Sequence, residues 1–215
     1  MVSKVMNQMF ITLEGVEGSG KTTVASGIIK VLKENGHDVL YTREPGGNKI
    51  AEEIRKVILD TNNTDMDPRT EALLYAAARR QHLVDVIEPA LMAGKIVICD
   101  RFVDSSIAYQ GYARGIGDQL IEAINDFATF GKRPDLTIFI DVSPEVGLER
   151  INKDKNREIN RLDLEQLDFH QAVYNGYQVL VEKHPERIQV VNGEIAVADV
   201  ITEINQIIKS RLQNG

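Results

Sequence analysis

A chain of 215 residues with one cysteine, Cys99, has room for one large α/β domain or at most two small ones, and can form neither an internal disulfide nor a cysteine-rich metal site. Its net charge of −7 argues against general nucleic-acid binding, which needs a broad basic face, so positive charge is expected to be local and purposeful. No stretch approaches the apolar length of a membrane span, and Met1 to Gln8 lacks the apolar centre of a signal peptide, so a cytoplasmic location is expected.

The first apolar run, Met9 to Leu13, reads as a buried strand. Gly15 to Thr22 follows and fits G-x-x-x-x-G-K-[ST], and Thr23 to Leu32 continues as an amphipathic helix. This strand, loop and helix are the context a phosphate-binding loop requires. Loop amides and a helix N-terminus direct partial positive charge at an anion, Lys21 adds a full charge, and the Thr22 hydroxyl suits Mg²⁺. Gly36 caps this helix. A second strand, His37 to Arg43, stops at Arg43-Glu44-Pro45-Gly46-Gly47, and a helix is expected over Ile50 to Leu59.

Thr61 to Asp67 is polar and turn-rich. Asp67-Pro68 then opens a long helix running towards Ala93, with a kink expected at Pro89. Lys95 to Cys99 is a strand ending at Asp100-Arg101. Helix is expected over Asp104 to Gln110, a loop over Gly111 to Gly117 and helix again over Asp118 to Ala128. Leu136 to Ile140 is a strand ending at Asp141. A helix opens over Glu145 to Ile151 and runs into a charged segment, Asn152 to Asp163. Leu164 to Val181 returns to helix, followed by a strand at Arg187 to Val191 and a last helix at Val197 to Leu212. With no repeat and no linker, residues 1–215 read as a single domain. Alternating strands and helices predict a parallel sheet covered on both faces, with ligands at the C-terminal strand ends. Glu14-Gly15, Arg43-Glu44, Asp100-Arg101 and Asp141 all sit at such ends.

Within that frame, Asp100 is the acidic partner expected of a phosphate-binding loop, holding Mg²⁺ directly or through water, and Arg101 is placed to fork onto a phosphate. Tyr75 and Arg79 share one helix face; Ser106, Tyr109 and Gln110 share another. The two faces either form a slot for a planar polar group or contribute core aromatics. Arg55, in Glu52-Glu53-Ile54-Arg55, reads on its own as a member of a salt-bridged surface helix. Arg150 to Arg161 carries five basic residues against two acidic ones, +3 in a chain of −7, and suits either a solvated helix end or a lid over phosphates, about 150–162. His37, His82, His170 and His184 show no metal-ligand spacing and read as structural or exposed.

Together Gly15 to Thr22, Arg43-Glu44-Pro45-Gly46-Gly47, Asp100-Arg101-Phe102 and Ser105-Ser106-Ile107-Ala108-Tyr109-Gln110-Gly111 resemble thymidylate kinases, in order and spacing, over essentially the whole chain. The resemblance implies an α/β P-loop kinase fold with a five-stranded parallel sheet and a short basic lid. The implied activity is ATP-dependent phosphorylation of dTMP for dTTP synthesis, with Mg²⁺, in a homodimer. It assigns ATP to Gly15, Val16, Glu17, Gly18, Ser19, Gly20, Lys21, Thr22 and Thr23, with Arg150 nearby, and the metal to Thr22 and Asp100. Arg43 and Arg101 are implied to hold the dTMP phosphate and Arg55 to reach it. Tyr75 stacks on thymine, and Arg79 and Gln110, with Ser106 nearby, read its polar edge. Tyr109 sits against the sugar, and Glu17 meets the 3′-hydroxyl. Asn48-Lys49-Ile50 departs from the usual turn after Gly47. The variable loop positions, Val16 to Ser19, hold no cation, so a lid arginine, Arg157, is expected to join Lys21 and Arg101 in catalysis. Two alternatives are another P-loop nucleotide kinase and a nucleotide switch. Against the switch, Asn152-Lys153-Asp154-Lys155 lacks the final aspartate of a guanine-reading motif, and Asp-x-x-Gly is absent.

Overall fold

The computed structural model describes residues 8–153 and 160–214. Its central strand, β1 (Met9–Glu14), is buried at every position. It pairs in parallel with β3 (Ile96–Asp100) on one side and β4 (Leu136–Asp141) on the other. With β2 (Val39–Arg43) and β5 (Ile188–Asn192) at the edges, the sheet order is β2-β3-β1-β4-β5. Both faces are covered by helices, which explains why the inner strands are continuous apolar runs rather than alternating ones. The chain winds first to one side of β1 and then to the other, so the crevice beside β1 is the topological switch point. Register aligns the expected rim: Leu13 lies opposite Asp100, and Arg43 opposite Asp100.

Helix α1 (Lys21–Glu34) starts directly from the glycine-rich loop, with Gly20 in the left-handed region at φ +88. Helix α2 (Lys49–Leu59) is capped by the Asn48 side chain, which accepts from the Ala51 N–H. Helix α3 (Pro68–His82) is capped by Asp67 as expected, and it passes through a π-helical stretch, Leu83–Ile87, into α4 (Glu88–Met92). The irregularity therefore lies before Pro89, not at it. Pro89 has no N–H for the Asp85 carbonyl, and a widened turn absorbs the defect.

A second departure is larger. Helix α5 (Val103–Ser106) continues as a π-helix, Ile107–Ala113, through Gly111, where a loop is expected from Gly111 to Gly117. The turn is held by tertiary packing: α8 (Leu167–Lys183) sets Gly176 so close to Ala108 and Tyr112 that a Cβ there would force its neighbours to shift. Helix α6 (Asp118–Thr129) follows. Helix α7 (Pro144–Lys153) runs into the charged segment as expected. Asn160 then caps a 3-10 turn, Arg161–Leu164, so α8 starts at Leu167 rather than Leu164. Helix α9 (Val197–Asn214) ends the described chain. No helix among the described residues is long and apolar enough to cross a membrane.

Candidate active site

The loop between β1 and α1 is shaped by a close neighbour. Gly18 has φ +73, and a Cβ there would strike the Gly147 carbonyl of α7; a Cβ on Gly147 would strike the Glu17 carbonyl in return. Two glycines thus bring α7, which carries Arg150, against the loop. Gly147 was not apparent in the sequence, where it is one glycine in a charged helix. Lys21 is buried, and its Nζ donates to Gly15 O (3.0 Å), Val16 O (3.0 Å) and Ser19 Oγ (3.1 Å). Burial, assisted by the Arg101 charge, pushes its pKa down to about 8.

Around this loop lies an open cleft of ≈ 630 Å³. The stretch from Glu17 to Thr23 lines it, with Asp100 and Arg101 from the end of β3, Arg43 from β2, Arg55 from α2 and Arg150 from α7. Tyr41 donates to Asp100 Oδ2 (3.4 Å) and has the Thr22 hydroxyl beside it, so the two oxygen ligands expected for a metal share one phenol. Arg43 and Arg55 both donate to Pro45 O at 2.9 Å, and Arg43 pairs with Glu52 at 3.1 Å. The Glu44–Pro45 peptide is cis. Arg150 donates to Gly193 O (3.1 Å).

Arg101 adopts φ 71, a left-handed conformation rare for a side chain of this size. Its guanidinium is correspondingly well held. NH2 pairs with Glu17 at 2.9 Å; NH1 donates to Gly15 O (3.0 Å), Tyr177 OH (3.2 Å) and Ser105 Oγ (3.3 Å). It also lies 4.9 Å from the Tyr109 ring centroid. Beneath it, Glu14 accepts from Phe102 N (2.8 Å), Ser105 (2.5 Å) and Tyr177 (2.8 Å). Burial and the nearby Asp104 charge raise the Glu14 pKa to about 7. Tyr177 and Ser105 are supports that only the folded chain reveals; they reach Arg101 from α8 and α5.

A second, narrow cavity opens off the cleft. It is lined by Tyr75, Arg79, Ser106, Tyr109 and Gln110, the two helix faces expected from spacing, and by Leu162 from the turn Arg161–Leu164. Arg79 is 1% exposed. It donates to Glu44 (2.7 Å), Ser106 Oγ (2.9 Å), Phe102 O (2.9 Å) and Asn125 Oδ1. Glu44 also bonds His82 (2.9 Å), whose other nitrogen meets Thr42 (2.6 Å). Glu44, His82 and Cys99 come within metal-ligand distance of one another, a grouping that sequence spacing did not show. Arg79 and Thr42 already occupy the first two, so the group reads as the brace of Arg79. Tyr109 donates to Glu17 Oε1 (3.1 Å), which is also the Arg101 partner.

The basic segment is not one unit. Arg161 is 3% exposed and donates to Ile58 O (2.9 Å) and Glu71 Oε2 (2.5 Å). It lines neither the cleft nor the slot, and its burial on Glu71 and Ile58 O shows that it is no solvated helix end. Arg157 lies outside the described residues.

A family model described as thymidylate kinase matches residues 13–204. The chain is 57% identical over 203 residues to the thymidylate kinase of Halalkalibacterium halodurans, covering 94% of this chain and 97% of that protein. It is 58% identical over 200 residues to the thymidylate kinase of Clostridium novyi, covering 93% and 98%. A crystal structure of thymidylate kinase from Ehrlichia chaffeensis superposes with a TM-score of 0.75 at 35% identity, covering 94% of this chain and 98% of that one.

Proposed function

The chain belongs to the thymidylate kinase family and catalyses transfer of the γ-phosphoryl group of ATP to dTMP, and on that premise we propose how its residues divide the reaction. One observation carries the assignment: the open cleft and the narrow slot share Glu17, Glu44 and Arg101 in their linings. In this reading a triphosphate on the loop and a monophosphate nucleotide in the slot would meet at Arg101, as transfer between them requires.

In this reading the loop amides of Gly15 to Gly20, with Lys21, Thr22 and Thr23, hold the ATP phosphates, and Arg150 borders the same cleft. Arg43, Arg55 and Arg101 neutralise the dTMP phosphate. Tyr75 stacks on the base, Arg79 and Gln110 read its edge, and Ser106 holds Arg79. Tyr109 packs on the sugar, and Glu17 takes the 3′-hydroxyl. The acceptor is a phosphate oxygen already ionised near neutral pH, so no general base is required; positioning and charge neutralisation supply the rate. Thr22 and Asp100 offer the hard oxygen ligands that suit Mg²⁺, which neutralises phosphate charge when bound. Arg157 supplies the charge that Val16 to Ser19 lack.

Residues 1–215 act as one kinase unit, in the cytoplasm, with neither nucleic acid nor membrane as partner. Exposed Leu73 of α3 and Leu120 and Phe127 of α6, with Phe130 just beyond, support a homodimer through that face. Light scattering of wild type and Phe127→Asp tests it: the variant should run at half the wild-type mass. A coupled ADP-release assay with each monophosphate as acceptor tests the substrate assignment. dTMP should lead and dUMP follow; efficient turnover of AMP or GMP overturns it.

A further inference from the structure

Glu71 lies in the first turn of α3, and Tyr75 and Arg79 follow at four-residue intervals, so one row of α3 runs from Glu71 into the base slot. Glu71 is fully buried and accepts four hydrogen bonds. Oε1 accepts from Gln110 Nε2 (2.8 Å) and Arg114 Nε (3.4 Å); Oε2 accepts from Arg161 (2.5 Å) and Arg114 (3.2 Å). Burial alone favours protonation, but Arg114, Gln110 and Arg161 outweigh it and hold the carboxyl below its ordinary value. Glu71 is therefore ionised at neutral pH and has only acceptors to offer.

That has a chemical consequence for Gln110, which is 1% exposed and lines the slot. An amide has a donor end and an acceptor end. Facing an ionised carboxylate, it turns its NH₂ to Glu71, which leaves its carbonyl oxygen for the slot. Arg79 has five N–H groups. Glu44, Ser106, Asn125 and Phe102 take four, which leaves one for the slot. From Gln110 and Arg79 the slot thus gains one acceptor and one donor. Thymine and uracil present the complement, an N3–H donor beside an O4 acceptor. Cytosine presents the reverse, an N3 lone pair beside an amino group.

We propose that Glu71 is the positioning residue that sets the orientation of the Gln110 amide, and thereby selects pyrimidines carrying an N3–H over cytosine. The inference rests on the reading that Gln110 faces the base. It separates two tasks on one carboxylate. Oε2 and the arginines tie the turn Arg161–Leu164 to α3, while Oε1 decides which end of an amide the base meets.

The decisive variant is Glu71→Gln. Arg114 and Arg161 will claim the new carbonyl oxygen, so the new NH₂ faces Gln110, which must flip and show its own NH₂ to the base. Steady-state kcat/KM for dTMP, dUMP and dCMP then gives the answer. We expect the dTMP-over-dCMP preference to fall by about tenfold or more, the scale of one neutral hydrogen bond. The dTMP-to-dUMP ratio, which reads only a methyl group, should stay within about twofold. Arg161→Met loosens the same clamp without touching the amide and should leave the dTMP-over-dCMP preference within about twofold. If Glu71→Gln does not fold, the charge-balanced Glu71→Gln/Arg161→Met pair, compared with Arg161→Met, reads the same preference. A preference unchanged in Glu71→Gln, or in the pair, overturns the proposal. Gln110→Leu separates the two levels. A dTMP KM raised about tenfold supports the base-slot reading on which the role of Glu71 rests; an unchanged KM shows that the amide does not face the base, and both ideas fall.

Discussion

The cleft and the slot meet at Arg101, yet they are built in opposite ways. The cleft is made of backbone amides and arginines that reach out of strand ends and α2, with Arg43 43% exposed by its side chain. The slot is made of side chains that hold one another; its Arg79 is 1% exposed and is held from β2's end, α5, α6 and the segment before α5. Phosphate carries full charge and tolerates a wet, adjustable site. A base edge is neutral, and telling one base from another needs donors and acceptors fixed in a dry place. Charge can be supplied locally by a motif, whereas orientation has to be supplied by neighbours from elsewhere in the chain.

The sharpest way to break this contrast is at Lys21. Lys21→Ala removes the one cation within the loop and should lower kcat by roughly 10³-fold or more with an unchanged unfolding midpoint. Near-normal turnover in a single-turnover assay would sink the assignment of the cleft.

Stability should divide the two regions in the other direction. Arg79→Met leaves Glu44 buried with a carboxylate oxygen stripped of its partner and should cost about 3–5 kcal/mol by urea denaturation. Arg43→Met removes a half-exposed pair and should cost less than about 1 kcal/mol. Equal losses would show that the cleft is as mutually braced as the slot.

Arg157→Ala is expected to lower kcat by at least ~10²-fold with little change in dTMP KM, since an arginine that meets the transferring phosphoryl group acts mainly in the transition state. A kcat within about threefold of wild type would leave it a solvated charge.

The smallest effect is one of pH. Lys21 must be protonated to act, and its pKa in the free enzyme is about 8. The kcat/KM for ATP should therefore be flat below that value and fall about tenfold per unit above it. In the ternary complex the phosphates hold the proton, so kcat should fall only at higher pH. Parallel profiles of kcat and kcat/KM would contradict this.

These two constructions also explain what was legible beforehand. Gly15 to Thr22 could be read because its chemistry is contiguous. Arg43, Asp100 and Arg101 could be read because a parallel sheet places strand ends on one rim. Tyr75 with Arg79, and Ser106 with Gln110, were legible as helix faces, although core packing explained them equally well. Asn125, Tyr177, Gly147 and Glu71 gave no signal. Each matters through a partner tens of residues away, and in sequence Glu71 is only an acid near a helix N-terminus. Gly111 to Gly117 reads as a loop from its glycines, but packing of Gly176 against the preceding turn holds helix through Gly111.

The same division runs through the basic segment. The sequence reading singles out Arg157 for catalysis and Arg150 for ATP, but charge composition alone does not say which of Arg150, Arg157 and Arg161 is buried. Tertiary structure separates two of them: Arg150 borders the open cleft, while Arg161 is buried on Glu71 and Ile58 O. Local spacing therefore determined the loop, the strand ends and the helix faces, because those depend on periods of two to four residues and on strand termini. Which charges are buried, which amide end faces the slot and which glycine admits a helix depend on segments brought together only by burying the sheet, and there the fold alone decided.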